Sequence, residues 1–74
     1  MTLGELRPGE RARVLTIRTQ GAMRQRILDM GITPKVEIQL IKVAPLGDPL
    51  DLFLRGYNLS LRRHDAALIE IEKL

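Results

Sequence analysis

The change from helix to strand falls within residues 21–40, which read GAMRQRILDMGITPKVEIQL. In its first half, apolar residues recur at helical spacing: Met23, Ile27 and Met30. This period predicts a helix over approximately residues 21–30, with polar side chains on the opposite side. Gly31 supplies the left-handed residue that commonly follows the last turn of a helix. We therefore expect the helix to end there, with Ile32 placed to contact Ile27.

The second half of this stretch has a different period. Apolar residues now alternate with polar ones, as Val36, Ile38 and Leu40 against Lys35, Glu37 and Gln39. Such alternation predicts a strand with one face buried and one face in water. After Leu40 the phase slips, and Ile41 and Val43 take the apolar positions. We expect a strong twist or a bulge here, which lets the strand contribute to two sides of a small barrel.

Four further segments carry the signals of short strands: residues 11–18, 50–54, 59–61 and 69–71. The first is expected to bend or bulge, because its apolar residues do not keep one phase. Gly56-Tyr57-Asn58 is predicted as the turn before the fourth strand, and residues 63–67 are long enough only for one helical turn. The chain therefore predicts a mainly β fold. We expect a single domain over residues 1–74, a small barrel of about five strands with one α-helix inserted between the first and second.

Composition narrows the class of protein. The chain has 74 residues, 45% of them hydrophobic, with no cysteine and a net charge of +3. A chain this short supports one core and leaves little room for a catalytic cleft. The start of the chain is too charged for a signal peptide, and no apolar run reaches the roughly 20 residues that span a bilayer. We expect a cytoplasmic protein that does not insert into the membrane.

The loop at residues 44–49, Ala-Pro-Leu-Gly-Asp-Pro, joins the two longest predicted strands. Pro45 and Pro49 each fix φ and remove a hydrogen-bond donor, while Gly47 permits positive φ, so the loop is stiff. Two interpretations remain open. The loop either sets the register of a hairpin or presents Leu46 to a partner, since a rigid loop loses less entropy on binding.

Several segments together resemble the FeoA family, ferrous iron transport protein A. They are Met30-Gly31-Ile32-Thr33-Pro34, Ala44-Pro45-Leu46-Gly47-Asp48-Pro49, Arg55-Gly56-Tyr57 and Leu61-Arg62, with an opening that contains Leu3, Leu6 and Pro8-Gly9-Glu10. The resemblance covers essentially the whole chain in order. It implies an SH3-like β-barrel that acts as a cytoplasmic accessory to FeoB, the ferrous iron permease with a cytoplasmic GTP-binding domain. One departure is Lys35, where family members usually have Gly after Thr-Pro.

The residues give little support to catalysis or metal binding. His64 is the only imidazole, and it has no nucleophile placed beside it by a known motif. Asp48 with Asp51 and Glu70 with Glu72 are acidic pairs without the histidine or dense carboxylate set that would hold Fe(II). We predict no enzyme activity, no metal site and no cofactor, although the resemblance to this family associates it with transition-metal binding.

Two alternatives to the accessory role follow from the same residues and the same resemblance. The barrel also resembles the C-terminal domain of DtxR-type metal-dependent repressors, so a stand-alone relative of that domain is one. A small basic nucleic-acid-binding barrel is the other. Its candidate residues are Arg11, Arg13, Arg18, Arg24, Arg26, Arg62 and Arg63. Nucleic acid is the less favoured partner, because only Phe53 and Tyr57 could stack on bases.

We therefore expect FeoB as the partner, with weak self-association left open. The candidate contact residues are Pro45, Leu46, Asp48, Phe53, Arg55 and Arg24. Phe53 is the large aromatic on the outer phase of its strand, and Leu46 is an apolar tip on a stiff loop. The alternatives are that Phe53 folds back under the helix and that Leu46 caps the end of the barrel.

Overall fold

A computed structural model of the chain describes all 74 residues. After a short 3₁₀ helix at Leu3–Glu5, the elements in chain order are β1 (Arg11–Ile17), α1 (Gly21–Asp29), β2 (Glu37–Val43), β3 (Leu50–Leu54), β4 (Tyr57–Leu61), α2 (Arg63–Ala66) and β5 (Ile69–Lys73). The strands form one sheet in the order β4-β3-β2-β1-β5, and every neighbouring pair is antiparallel. The predicted mainly β fold of five strands, with a helix between the first two, is confirmed.

The end of α1 follows the predicted chemistry. Gly31 has φ +94°, and its N–H donates to the Leu28 carbonyl at 2.9 Å while the N–H of Ile32 donates to the Ile27 carbonyl at 3.4 Å. These are the two hydrogen bonds of a Schellman motif. Ile27 and Ile32 are both buried in the core, so the chain turns from helix to strand at a point fixed by packing.

Two bulges bend the long strands. The register of β1 against β5 shifts between Val14 and Thr16, and that of β2 against β3 shifts between Leu40 and Lys42. The extra residues, Leu15 and Ile41, are left about half exposed. The bulge expected after Leu40 is confirmed, and Ile41 is the extra residue, which the bulge turns away from the core.

The hairpin between β3 and β4 is tighter than predicted. Its turn is Arg55-Gly56, with φ values of +50° and +85°, and Leu54 pairs directly with Tyr57. Positive φ at both central positions is typical of a two-residue type I′ turn. Tyr57 and Asn58 therefore belong to β4 rather than to the turn.

One cluster of 16 buried apolar residues fills the barrel: Leu3, Leu6, Ala12, Val14, Ile17, Ile27, Ile32, Ile38, Leu40, Leu50, Leu52, Leu54, Leu61, Ala66, Ile69 and Ile71. The 3₁₀ helix, α1 and α2 each contribute to it. Neither Phe53 nor Leu46 belongs to this cluster, so the two prominent apolar candidates are on the surface.

Candidate functional site

The loop between β2 and β3 is a closed turn with an exposed tip. The N–H of Gly47 donates to the Ala44 carbonyl at 2.7 Å, and the N–H of Ala44 donates to the Pro49 carbonyl at 3.1 Å. Gly47 takes φ +90°, which a side chain would disfavour. Leu46 is 97% exposed. It therefore does not cap the end of the barrel.

Arg63 fixes this loop to the rest of the molecule. Its Nε donates to the Gly47 carbonyl at 2.9 Å, and its main-chain N–H donates to Oδ1 of Asp48 at 3.0 Å. A third hydrogen bond runs from its guanidinium to the Gly4 carbonyl at 3.0 Å. The start of α2 thus holds the loop, and the 3₁₀ helix holds the Arg63 side chain, so Leu46 and Pro45 project from a fixed base. From the sequence, Arg63 is only a candidate for a basic nucleic-acid-binding surface, and its role in holding the loop is not predicted.

Phe53 lies on the outer face of the sheet, where its cross-strand neighbours are Gln39 and Asn58. It is 42% exposed, so it does not fold back under the helix. Beside it is a shallow groove of about 250 Å³ whose lining includes Arg11, Phe53 and Arg55. Arg55 is oriented by a hydrogen bond of 2.9 Å to Oγ1 of Thr33.

A second groove, of about 280 Å³, lies between α1, α2 and the end of β4. It is lined by Arg26, Met30, Pro49, Ser60, Leu61, Arg62 and Asp65. Asp65 is only 4% exposed, and its carboxylate oxygens lie 3.6 Å from the Arg26 guanidinium and 3.4 Å from Nδ1 of His64. The Arg26 guanidinium therefore compensates the charge of this buried acid from within the molecule.

The six predicted contact residues do not form one site. Pro45, Leu46 and Asp48 lie in the loop before β3, whereas Arg55 follows the other end of that strand. Arg24 is on α1 and lines neither groove. Five residues of strand separate the loop from Arg55, roughly 16 Å of extended chain, so a partner would contact all six only across a broad surface.

Several of the basic side chains are engaged within the molecule. Arg13 lies 4.0 Å from Glu37 and 3.5 Å from Glu72, and Arg18 lies 3.4 Å from Glu70. Arg26 pairs with Asp65, and Arg63 is committed to backbone oxygens. Four of the seven arginines proposed for a nucleic-acid surface thus have partners within the molecule.

The pKa values of two surface carboxyl groups, Glu10 and Glu70, are lowered. A hydrogen bond from Lys73 at 2.6 Å, assisted by the N–H of Arg7, lowers the pKa of Glu10. The terminal ammonium of Met1 and the guanidinium of Arg18 lower the pKa of Glu70. Both acids join β5 to the beginning of the chain, so these shifts report on structure.

Metal ligands are not assembled in this fold. No group of three or more His, Cys, Asp or Glu side chains comes close enough to hold a metal ion.

No helix is long and apolar enough to cross a membrane. The surface of the protein has two grooves and a rigid loop, which are features suited to the docking of another protein.

The fold defines a class: a small SH3-like β-barrel with a helix between its first two strands. A FeoA from Stenotrophomonas maltophilia, described as a prokaryotic SH3 domain protein and solved in complex with zinc, superposes with a TM-score of 0.84. That match has 24% identity and covers 97% of this chain and 89% of the other. At this level of identity, the likeness shows the fold alone.

The family is shown by closer matches. The FeoA domain family matches residues 1–73, and this chain belongs to it. A fusion protein of Fe(2+) transport protein A and the Fe(2+) transporter FeoB from Porphyromonas gingivalis, strain ATCC BAA-308 / W83, is 43% identical over 72 residues. The match covers 97% of this chain and 8% of the fusion protein.

The solution structure of iron(II) transport protein A from Clostridium thermocellum gives a TM-score of 0.96 at 38% identity, covering 100% of this chain and 46% of that chain. The resemblance to metal-dependent repressors also extends to structure. A manganese-dependent transcriptional repressor in complex with manganese gives a TM-score of 0.91 at 17% identity, covering 100% of this chain and 36% of the repressor. This low identity shows a shared barrel and nothing about a shared role.

Proposed function

We propose that this chain is a non-enzymatic accessory protein of ferrous iron uptake that binds the transporter FeoB on its cytoplasmic side and modulates it. The observation that carries the proposal is the Porphyromonas gingivalis fusion protein, in which a segment 43% identical to this chain is joined to FeoB. A covalent link keeps two modules at high effective concentration. Without such a link, the same module needs a surface with enough affinity to replace it.

The structure supports a docking role in two ways. Leu46 projects from a loop fixed by two hydrogen bonds of Arg63, to Gly47 and to Asp48, so little conformational entropy is lost when it is covered. Phe53 adds an exposed aromatic side chain on the outer face of the sheet. Rigid apolar anchors of this kind are common centres of binding energy.

Affinity capture tests the proposal directly. The tagged chain is immobilised and presented with detergent-solubilised FeoB from the same cell, with an unrelated transporter in the same detergent as control. We expect saturable binding of FeoB that persists at physiological salt, and no retention of the control. Equal retention of both transporters, or of neither, would contradict the proposal.

A further inference from the structure

The two edges of the sheet differ in how they are covered. Along β5, the outer edge is occupied by the start of the chain: Thr2 forms a β-bridge with Glu70, and the N–H of Ile71 donates to the Met1 carbonyl at 2.8 Å. At the opposite edge, β4 pairs with β3 and with no other strand. The sheet therefore has one covered edge and one open edge.

The open edge presents the main-chain groups of Asn58 and Ser60. Leu54 and Tyr57 close the two-residue hairpin, so they form a hydrogen-bonded pair, and such pairs alternate along an antiparallel ladder. Tyr57, Leu59 and Leu61 therefore bond to β3, and Asn58 and Ser60 direct their N–H and C=O groups outward. Both residues are exposed. Neither takes part in the main-chain hydrogen bonds that are formed outside the regular elements.

This edge lacks the protection that natural sheets usually carry. Exposed edge strands are commonly blunted by a charged residue, a proline or a bulge. The sequence of β4, Tyr-Asn-Leu-Ser-Leu, has neither charge nor proline, and its register against β3 is unbroken. The covered strand β5, in contrast, carries Glu70, Glu72 and Lys73. An open, regular, uncharged edge is the structure that accepts an added strand.

The charges around β4 indicate what the added strand must carry. Arg55 precedes the strand and Arg62 follows it, and neither forms an ion pair with an acidic side chain. Arg62 also lines the groove of about 280 Å³ that runs beside Ser60 and Leu61. An extended segment with a carboxylate near each end would complement both guanidinium groups.

The same charges disfavour a second copy of this chain. In a two-fold antiparallel pairing of β4 about Leu59, Arg62 of each copy would lie opposite Gly56 of the other and next to its Arg55. Like charges brought together across strands are destabilising. In this register, self-pairing would place two arginine pairs in close proximity, whereas an acidic segment would neutralise them.

We propose that β4 is a strand-addition site, at which an extended segment of FeoB with few internal charges and an acidic residue near each end pairs with Asn58 and Ser60. This inference rests on the proposed function and gives it a contact surface. Phe53 and Asn58 are cross-strand neighbours on the outer face of the sheet, and a side chain of the added strand would lie next to Asn58 on the same face. It also places the segment beside Pro49, which lines the same groove and ends the loop that carries Leu46.

Hydrogen exchange on the unaltered protein is the first test. In the free chain, we expect the amide protons of Asn58 and Ser60 to exchange fast and those of Tyr57 and Leu59 to exchange slowly, as NMR measures. In the complex with detergent-solubilised FeoB, quenched exchange with mass spectrometry should show protection of residues 57–62 rising by about tenfold or more. Protection of Asn58 and Ser60 in the free chain at high concentration, together with a dimer in sedimentation, would overturn the proposal in favour of a second copy.

A matched pair of variants isolates the main-chain donor. Ser60→Pro removes an N–H that points away from β3, a position where edge strands tolerate proline, whereas Ser60→Ala removes only the hydroxyl that donates to Asp51. We expect Ser60→Pro to weaken FeoB binding about tenfold, equivalent to about 1.4 kcal/mol, and Ser60→Ala to change it less than about twofold. If Ser60→Pro fails to fold, as a lost thermal transition would show, the exchange experiment decides alone.

A charge reversal completes the test. Arg62→Glu should weaken binding about tenfold or more, while Arg7→Glu, the same change on the turn before β1, should not. If wild-type protein fails to capture FeoB, the proposed function is wrong. If it captures FeoB but exchange at residues 57–62 and binding by Ser60→Pro and Arg62→Glu are unchanged, the proposed function stands and the strand-addition site is wrong.

Discussion

The main-chain N–H of Arg63 donates a hydrogen bond of 3.0 Å to Oδ1 of Asp48. This bond satisfies a free donor in the first turn of α2, in the manner of an N-terminal cap supplied from a distant loop. The same arginine holds Gly47 through its side chain. Loop and helix therefore fix each other, and the carboxylate of Asp48 is engaged within the molecule.

Removing that acceptor should destabilise the protein. We expect Asp48→Ala to lower the free energy of unfolding by about 1 kcal/mol, as is usual when a helix cap is lost. Asp48→Asn is the matched control, because its amide oxygen still accepts the Arg63 N–H, and it should lose less than half as much. Urea unfolding of the three proteins measures both values. Equal losses for the two variants would contradict a capping role.

The backbone of Lys35 has a left-handed conformation that is unfavourable for a residue with a side chain. Its φ is +77°, in the left-handed region, and its N–H donates to the Val14 carbonyl at 2.7 Å. A residue with a Cβ pays roughly 1–2 kcal/mol there, so glycine would suit this position better than lysine.

Lys35→Gly should therefore stabilise the protein by roughly 0.5–1 kcal/mol, after the extra chain entropy of glycine is subtracted. Lys35→Ala removes the same side chain but keeps the Cβ, so it should give no gain. Chemical denaturation of both variants makes the comparison. A gain in Lys35→Ala as large as in Lys35→Gly would place the effect in the lysine side chain instead.

Gly31 is constrained by packing as well as by backbone conformation. A Cβ at this position would overlap the hydroxyl of Tyr57, which donates a hydrogen bond to the Met30 carbonyl. Gly31→Ala should thus cost more than the roughly 1–2 kcal/mol of left-handed backbone alone. In a Tyr57→Phe background, part of that cost should disappear because the overlapping oxygen is gone.

A double-mutant cycle on Gly31→Ala and Tyr57→Phe measures this coupling. We expect at least about 1 kcal/mol of favourable interaction between the two changes, as for residues in direct contact. Additive losses would mean that the tyrosine moves aside without cost.

Local chemistry explains which parts of the fold could be predicted from the sequence. The end of α1 was predictable because Gly31 and Ile32 act within one turn of the residues they bond. The strands were predictable because alternation reports the side of a sheet. The orientation of Ile41 was not predictable, because the sequence shows that the phase changes after Leu40 but not which residue the bulge expels.

The surface was less predictable, because its contacts join residues far apart in the chain. Arg63 bonds to Gly47, 16 positions away in the chain, and to Gly4, 59 positions away. No local sequence pattern predicts either hydrogen bond. The exposure of Leu46 was proposed from a proline-bounded loop. The open edge of β4 was not, since edge position depends on the order of strands in the sheet.

The lowered pKa of Glu10 predicts that the contact between Glu10 and Lys73 of β5 loses its stabilising effect in acid. Its folded-state pKa lies below the ordinary value of 4.5, chiefly through the hydrogen bond with Lys73. A depressed carboxyl pKa contributes stability above the unfolded pKa, and that contribution is lost as pH falls through the folded value. The ion pair should therefore stabilise the protein at neutral pH and not at strongly acidic pH.

Glu10→Gln should accordingly be less stable than wild type at pH 7, and the difference should close as pH falls below about 4.5. Lys73→Met is the partner control, which should destabilise wild type at pH 7 but have little further effect in Glu10→Gln. Urea unfolding across a pH series at low salt provides the measurement. A difference between Glu10→Gln and wild type that stays constant with pH would assign the effect to lost packing rather than to charge.

Leu46 gives the sharpest separation of stability from binding. Its side chain is 97% exposed, so Leu46→Asp should leave the melting temperature nearly unchanged. If the loop meets FeoB, a charge at the centre of a desolvated contact should cost about 2 kcal/mol, roughly a thirtyfold loss of affinity. Leu15→Asp is the matched control, since Leu15 is also an exposed leucine, 48% accessible at the bulge of β1.

The readouts are thermal melting, capture of FeoB and growth under iron limitation for both variants. Loss of capture and growth in Leu46→Asp alone, with melting preserved, would establish the loop as a contact. Equal losses in both variants would indicate a general effect of surface charge. If both variants behave like wild type, the two prolines and Arg63 serve only to hold a hairpin connection, and the contact with FeoB must lie elsewhere, with the outer face around Phe53 and the edge of β4 as the surfaces to test next.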